Sequence, residues 1–367
     1  AYAAAVSGGG GGISAQVGSQ RALLGAGRAS AAYRQATELD RRTGGQDAEL
    51  GLFLASVNAQ VDNDEAAFQL ARRRTQDPDV RLRQASFQAL RLIARGQKEE
   101  GLQFISREAG HHPQDYSWLV AVGEAFAAAG VSREAHDYYT QAQRIAPDRD
   151  EALISLASLL RQQGKHRDSL ALYEEVVRRN PESLPGWLGV AEVAQLRGDL
   201  DHAWQALDAA QRVAPGSALI YRERLKIALR RKDDATFATV LQAYRRAQPA
   251  DAWPELWAAK WADARGAEVN VPALEAVLDP LAPDLTGEAL RILRQRTGRS
   301  LPQAIAAVPR APTSSLQEAA QDKLSRQVRL ANPSIIGVST GYEFSSLQDT
   351  TGAGARLQSW HEGYLAA

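Results

Sequence analysis

The sequence predicts an all-α fold of stacked helical hairpins, and three regularities predict it. Pro113, Pro147, Pro181, Pro215 and Pro249 recur at a fixed interval of 34 residues. Gly96, Gly130, Gly164 and Gly198 each stand seventeen residues before the next of these prolines, where the turn joining two helices of a unit needs a residue that tolerates positive φ. Within the intervals, small, large apolar and aromatic residues return at set positions.

In chain order, residues 1–40 read as a flexible glycine-rich N-terminus and a first helix. The run Gly8 to Gly12 lacks a following Gly-Lys-Ser/Thr, so a phosphate-binding loop would miss its lysine and hydroxyl. Ala1-Tyr2-Ala3 is similar to the tail of a signal-peptidase site, without charged and apolar segments before it. Alanines, leucines and arginines from Ala22 to Leu39 suggest one helix. Residues 41–81 hold a degenerate helical pair, Glu49 to Val61 and Glu65 to Arg74, of the kind expected next to a solenoid end. Five repeat units fill residues 82–251. Residues 252–306 form a helical cap, with helices at Trp253 to Ala264, Val271 to Leu278 and Thr286 to Arg296. Trp253, Trp257 and Trp261 share one face of the first, and packing on the last repeat is expected in preference to sugar stacking. A linker and helix occupy 307–332. From 333 to 367 the pattern changes to alternating β-branched and aromatic residues, which predicts a short C-terminal β-hairpin.

The repeat units resemble the tetratricopeptide repeat. The fullest match runs from Tyr116 to Arg149, where Leu119, Val122, Gly123, Phe126, Ala135, Tyr139, Ala142 and Pro147 occupy all eight positions of the family pattern. The next unit keeps Leu153, Leu156, Ala157, Leu160, Ser169, Tyr173, Val176 and Pro181, and the one after keeps Trp187, Val190, Ala191, Ala203, Ala210 and Pro215. The flanking units depart from the pattern: Phe237 replaces the small helix-packing residue and Tyr244 stands where alanine is usual. The resemblance implies an α-solenoid, a right-handed superhelix whose concave groove is lined by the first helix of each unit. Carried onto this chain, the groove positions give Glu124, Ile154, Ser158, Arg161, Leu188, Glu192, Gln195, Arg222, Lys226 and Leu229 as partner-binding candidates. Arg222, Lys226 and Arg230 fall at four-residue spacing on one face, a basic stripe suited to carboxylates or else a solvated charged face. Asparagine is missing from the matching positions, which argues against the chaperone-type capture of a peptide C-terminus.

The string Gly341-Tyr342-Glu343-Phe344-Ser345-Ser346-Leu347, followed by Trp360 and its alternating neighbours, resembles the opening hairpin of YaiO-type outer-membrane barrels. A barrel needs at least about eight strands, so the hairpin is expected to begin a barrel in a longer parent protein. A periplasmic repeat region joined to a barrel is the layout of exopolysaccharide exporters such as the cellulose-synthase C subunit. The resemblance therefore implies a scaffold in the periplasm or outer membrane, with envelope proteins or a polysaccharide as partners. A cytosolic assembly scaffold and a phage-receptor-type outer-membrane protein are the alternatives.

Composition agrees with this class and excludes others. With 43 acidic and 43 basic residues the formal net charge is zero, against nucleic acid as the main partner. The chain contains no cysteine, which excludes disulfides and zinc–thiolate sites, and no methionine even at residue 1, so it does not begin where translation began. No cofactor, metal or catalytic residue is expected. His111, His112, His136, His166, His202 and His361 include no pair three or four residues apart, and His111-His112 reads as a solvated turn. No Gly-x-Ser-x-Gly elbow is present, and the pairs Glu99-Glu100 and Glu174-Glu175 read as solvated helix faces rather than glycosidase carboxylates.

Overall fold

The computed structural model describes residues 13–330, so the expected hairpin at 333–367 and the glycine run at 8–12 lie outside the described residues. Among the described residues every regular element is a helix. The described residues divide into two compact units: unit 1 holds 13–75 and 241–330, and unit 2 holds 76–240.

Unit 1 begins with α1 (Ile13–Gly25), α2 (Ala29–Arg42), α3 (Ala48–Gln60) and α4 (Asp64–Ala71). The single helix expected over 22–39 is in fact broken between α1 and α2. Gly27 takes φ 73°, and a side chain there would meet Leu285 Cδ1 at 2.7 Å, so both backbone and packing demand glycine. In α2, Ala29, Ala32, Ala36 and Leu39 form one buried stripe at helical spacing. Asp47 caps α3 by accepting the Leu50 amide at 2.8 Å. Leu50, Phe53, Leu54 and Val57 of α3 then enter the core of the unit.

Unit 2 holds the helical hairpins α5 (Pro78–Ala94) with α6 (Lys98–Ala109), α7 (Tyr116–Ala128) with α8 (Ser132–Ile145), α9 (Glu151–Gln162) with α10 (His166–Arg179), and α11 (Leu184–Leu196) with α12 (Leu200–Val213). A fifth hairpin pairs α13 (Ala218–Arg231) with α14 (Asp234–Ala247), and the unit boundary falls within α14. Side-chain caps fix several helix starts: Asp115 accepts from the Ser117 and Trp118 amides, Ser183 from Gly186, and Asp199 from His202. The two helices of a hairpin approach closely through small residues, as the repeat pattern requires. Ser169, fully buried, donates its hydroxyl to the Ala157 carbonyl at 2.7 Å across α9 and α10. Neighbouring hairpins interlock through aromatic side chains. The Tyr173 ring from α10 fills the space over Gly189 of α11, where a Cβ would collide with it.

The turn glycines behave as their spacing predicts, with φ of 84° at Gly96, 83° at Gly130, 74° at Gly164 and 81° at Gly198. The same left-handed conformation recurs in the same 34-residue register at Asp62, Lys232 and Gly266. Asp62 and Lys232 are the non-glycine residues with positive φ among those described. The register therefore runs through the turn between α3 and α4 and to the end of α15, past both ends of the five units read from the sequence.

Unit 1 resumes with α15 (Trp253–Arg265), α16 (Val271–Glu275), α17 (Pro283–Thr297), α18 (Leu301–Ala306) and α19 (Ser314–Leu330). These helices share one core with the chain's beginning: Val17, Ala32, Phe53 and Val57 pack in the same cluster as Leu256, Leu285, Leu290, Leu324 and Val328. Hydrogen bonds reinforce the junction. The Ala252 amide donates to the Ala26 carbonyl at 2.9 Å, and Trp253 Nε1 donates to the Gly25 carbonyl at 3.1 Å. Buried Asp279 accepts the Ser30 amide at 2.9 Å and its hydroxyl at 2.5 Å, capping α2 from 249 residues away. Lys323 and Arg326 of α19 both pair with Asp62 at 3.0 Å. Trp253 and Trp261 pack against this shared core, and Trp253 reaches the first helices through Gly25. Among the described residues the fold is all-α, and the hairpins of unit 2 have the architecture that the tetratricopeptide resemblance implies.

Candidate interaction face

The first helices of the hairpins in unit 2, α7, α9, α11 and α13, carry the residues predicted to bind a partner. Residues four apart on a helix share a face, so Ile154 with Ser158, Leu188 with Glu192, and Arg222 with Lys226 each project to one side. Side-chain contacts show that these sides adjoin. Arg161 of α9 pairs with Glu192 of α11 at 3.1 Å and reaches Ser158 at 3.5 Å. Gln195 of α11 donates Nε2 to Glu223 of α13 at 2.8 Å, and Glu223 also meets Lys226 at 3.6 Å. Arg230 donates to the Gln195 backbone carbonyl at 3.0 Å, close to the C-terminal end of α11, where a cation also suits the helix dipole.

The structure therefore brings Ser158, Arg161, Glu192, Gln195 and Lys226 into one polar ladder that crosses three helices. Glu124, Ile154, Leu188, Arg222 and Leu229 are partly buried on the same helices, Glu192 and Lys226 are exposed, and Gln195 is buried at 3% exposure. The basic stripe Arg222, Lys226 and Arg230 is not a free row of cations: Lys226 has a carboxylate beside it and Arg230 is tied to the backbone of α11. Glu223, which does this pairing, falls outside the groove positions of the repeat pattern and was missed by sequence reasoning.

Tyr173 is the second residue the sequence did not assign to this face. Burial, followed by the nearby Glu192 carboxylate, pushes its hydroxyl up to about 12, while Arg161 and Ser158 act in the opposite direction. The phenol therefore stays neutral beside Arg161 and Ser158.

The neighbouring junction of α7 and α9 is built differently. Tyr116 accepts the Ala152 amide at 2.8 Å and donates to Glu151 at 3.2 Å, with the Arg149 guanidinium 4.0 Å above its ring. Burial raises the Tyr116 hydroxyl above its usual range. Burial alone would raise Glu151 too, but the Arg149 hydrogen bond and charge outweigh it and hold the carboxyl below its ordinary value. At the preceding turn His112 lies parallel to the Trp118 ring, centroids 4.9 Å apart, so half of the His111-His112 pair is packed rather than solvated.

Among the described residues, no three histidine, aspartate or glutamate side chains group as metal ligands, and no helix is long and apolar enough to cross a membrane.

No family model matches the chain. Superkiller complex protein 3 of Mus musculus is 22% identical over 173 residues, which are 47% of this chain and 11% of that protein. The match thus spans about a tenth of the length of the curated relative. Among solved structures, PilW, a widely conserved type IV pilus biogenesis factor, is 16% identical with a TM-score of 0.43, over 59% of this chain and 94% of that one. A tetratricopeptide repeat protein from Parabacteroides merdae is 13% identical with a TM-score of 0.42, over 72% and 98%.

Proposed function

We propose that the protein is a non-enzymatic scaffold that holds a protein partner on the first-helix face of unit 2. The observation that supports this reading is that first-helix side chains of α9, α11 and α13 adjoin, braced from helix to helix by Arg161–Glu192 and Gln195–Glu223. Such bracing holds a broad recognition surface in place before a ligand arrives, which reduces the ordering cost of binding. The test is a photo-crosslinking residue placed at Ser158 and, as a control, at exposed Gln141 on the second-helix side. A discrete protein adduct at Ser158 alone is expected, and its loss in Glu192→Arg would tie it to the ladder. Equal labelling at both positions would overturn the reading.

The finer reading places this scaffold in the bacterial envelope, in the secretion of a cellulose-like exopolysaccharide across the outer membrane. It is supported by the sequence resemblance at Gly341 to Leu347, outside the described residues. Sequencing the parent reading frame tests it. Further amphipathic strands after residue 367 would support a barrel, and an immediate stop codon would leave a soluble scaffold.

A further inference from the structure

We infer that residues 13–72 exchange between two copies of this chain, so that the N-terminal helices of each copy complete unit 1 of the other in a reciprocal dimer. The core of unit 1 draws on two stretches separated by all of unit 2: Val17, Ala32, Phe53 and Val57 from one, Leu256, Leu285, Leu324 and Val328 from the other. Polar fasteners cross the same divide. The Arg28 guanidinium donates to the Ala250 carbonyl at 3.3 Å, Ser30 bonds to Asp279, and Asp62 pairs with Lys323. The chain has no cysteine, so no disulfide ties the two stretches of one copy together. A second copy therefore offers each stretch an identical complement.

The connection between α4 and α5 is where the exchange opens. Successive hairpins of unit 2 are joined by hydrogen-bonded turns at one register position: the amides of Asp115, Arg149, Ser183 and Ser217 donate to the carbonyls of His112, Ala146, Asn180 and Ala214 at 3.1, 3.2, 3.0 and 3.1 Å. One interval earlier, Arg81 lies inside α5 instead, because that helix starts at Pro78, one turn ahead of the position equivalent to Tyr116. Residues 73–77 consequently run from α4 to α5 without a turn, with Arg74, Gln76 and Asp77 exposed. Opening there melts no turn of the kind that joins the other hairpins. The stretch 241–330, by contrast, continues from unit 2 through the unbroken helix α14, so the N-terminal stretch is the one that moves. Closure within one copy prevails in dilute solution, because both stretches share a chain. Exchange gains as the protein nears their effective concentration, on the order of mM for short connections.

A pair of charge-reversed variants of the whole chain tests this. Asp62→Lys sets a cation against Lys323 and Arg326, and Lys323→Glu with Arg326→Glu sets two carboxylates against Asp62. Lysine suits position 62, because Lys232 holds the same left-handed conformation in the same register. Each variant is mismatched within its own copy, whereas exchange between the two restores both junctions. Refolded together from urea, they are expected to form a one-to-one dimer, seen by light scattering, at about tenfold lower concentration than either variant alone. Equal dimerisation of either variant by itself, or a mixture that stays monomeric, would overturn the inference. The unsubstituted protein gives a second reading where a variant does not fold. Light-isotope and heavy-isotope copies are refolded together at high concentration and treated with a zero-length carbodiimide, which joins Lys323 to Asp62 across their 3.0 Å contact. Crosslinks pairing a light Asp62 with a heavy Lys323 are expected in the dimer fraction and not in the monomer. A dimer that yields only same-isotope pairs, or no dimer at all, refutes the exchange.

Discussion

Replacing Asp279 with alanine is expected to unfasten the start of the chain from its end. The carboxylate accepts the Ser30 amide at 2.9 Å, the Ser30 hydroxyl at 2.5 Å and the Leu281 amide at 2.9 Å, all in a buried setting. Each hydrogen bond to a charged group contributes about 1.5–3 kcal/mol, and each buried donor left unpaired costs about 1–3 kcal/mol. These contributions overlap, and α2 can fray at its first turn, so a loss of about 3–5 kcal/mol is expected rather than the full sum. That is a large part of the roughly 5–15 kcal/mol that stabilises an ordinary domain. Asp279→Asn keeps one acceptor and should lose about 2 kcal/mol. Urea unfolding gives the magnitude, and hydrogen exchange gives the place. Protection should fall first in α2, while α7 to α12, whose bonds are untouched, retain theirs. A loss under about 1 kcal/mol, or unchanged protection of α2, would refute the view that this one carboxylate joins the chain ends.

Gly189→Ala should destabilise unit 2 by about 2–3 kcal/mol, because the added Cβ collides with the Tyr173 ring in a packed core; a thermal shift smaller than that of an exposed alanine control would refute this. Lys232→Gly should stabilise by about 1 kcal/mol, since an exposed lysine holds φ 57° in a turn where the other repeats use glycine; urea midpoints at unchanged slope check it. Glu288 is raised by burial but held below its ordinary value overall by Lys260 and Arg291. Its folded pKa lies under that of the unfolded chain, so its contribution is present above about pH 4.3 and is lost as pH falls through the folded value. Glu288→Gln should remove that part of the acid-induced destabilisation, as read by unfolding at pH 7 and pH 3.5.

The hairpins of unit 2 were legible because their turns need glycine and their packing needs small residues, demands that leave a mark at fixed spacing. Beyond 82–251 the mark is weaker but present. Pro283 continues the proline series one interval further and Gly266 the glycine series two, past Lys232, although the helix between them, α16, is only five residues long. Asp62 and Lys232 hid the register by adopting a glycine conformation without being glycine. On the interaction face the helix positions followed from the repeat pattern, but the partners did not. Glu223 turns toward Gln195 and Lys226 because of how α13 rests on α11, and a one-dimensional pattern does not carry that relation. The junction of Ser30 with Asp279 left no periodic trace at all, being a single cap across 249 residues.

A core assembled from both chain ends has a consequence for the order of synthesis. Residues such as Phe53 and Val57 leave the ribosome long before Leu285 and Leu324, which cover them in the finished protein. At about 5–20 residues per second, the delay is roughly 10–50 s. During that interval the helices that carry Phe53 and Val57 lack the later helices that complete their core. The core of unit 1 is thus completed only once residues beyond Leu324 have been made.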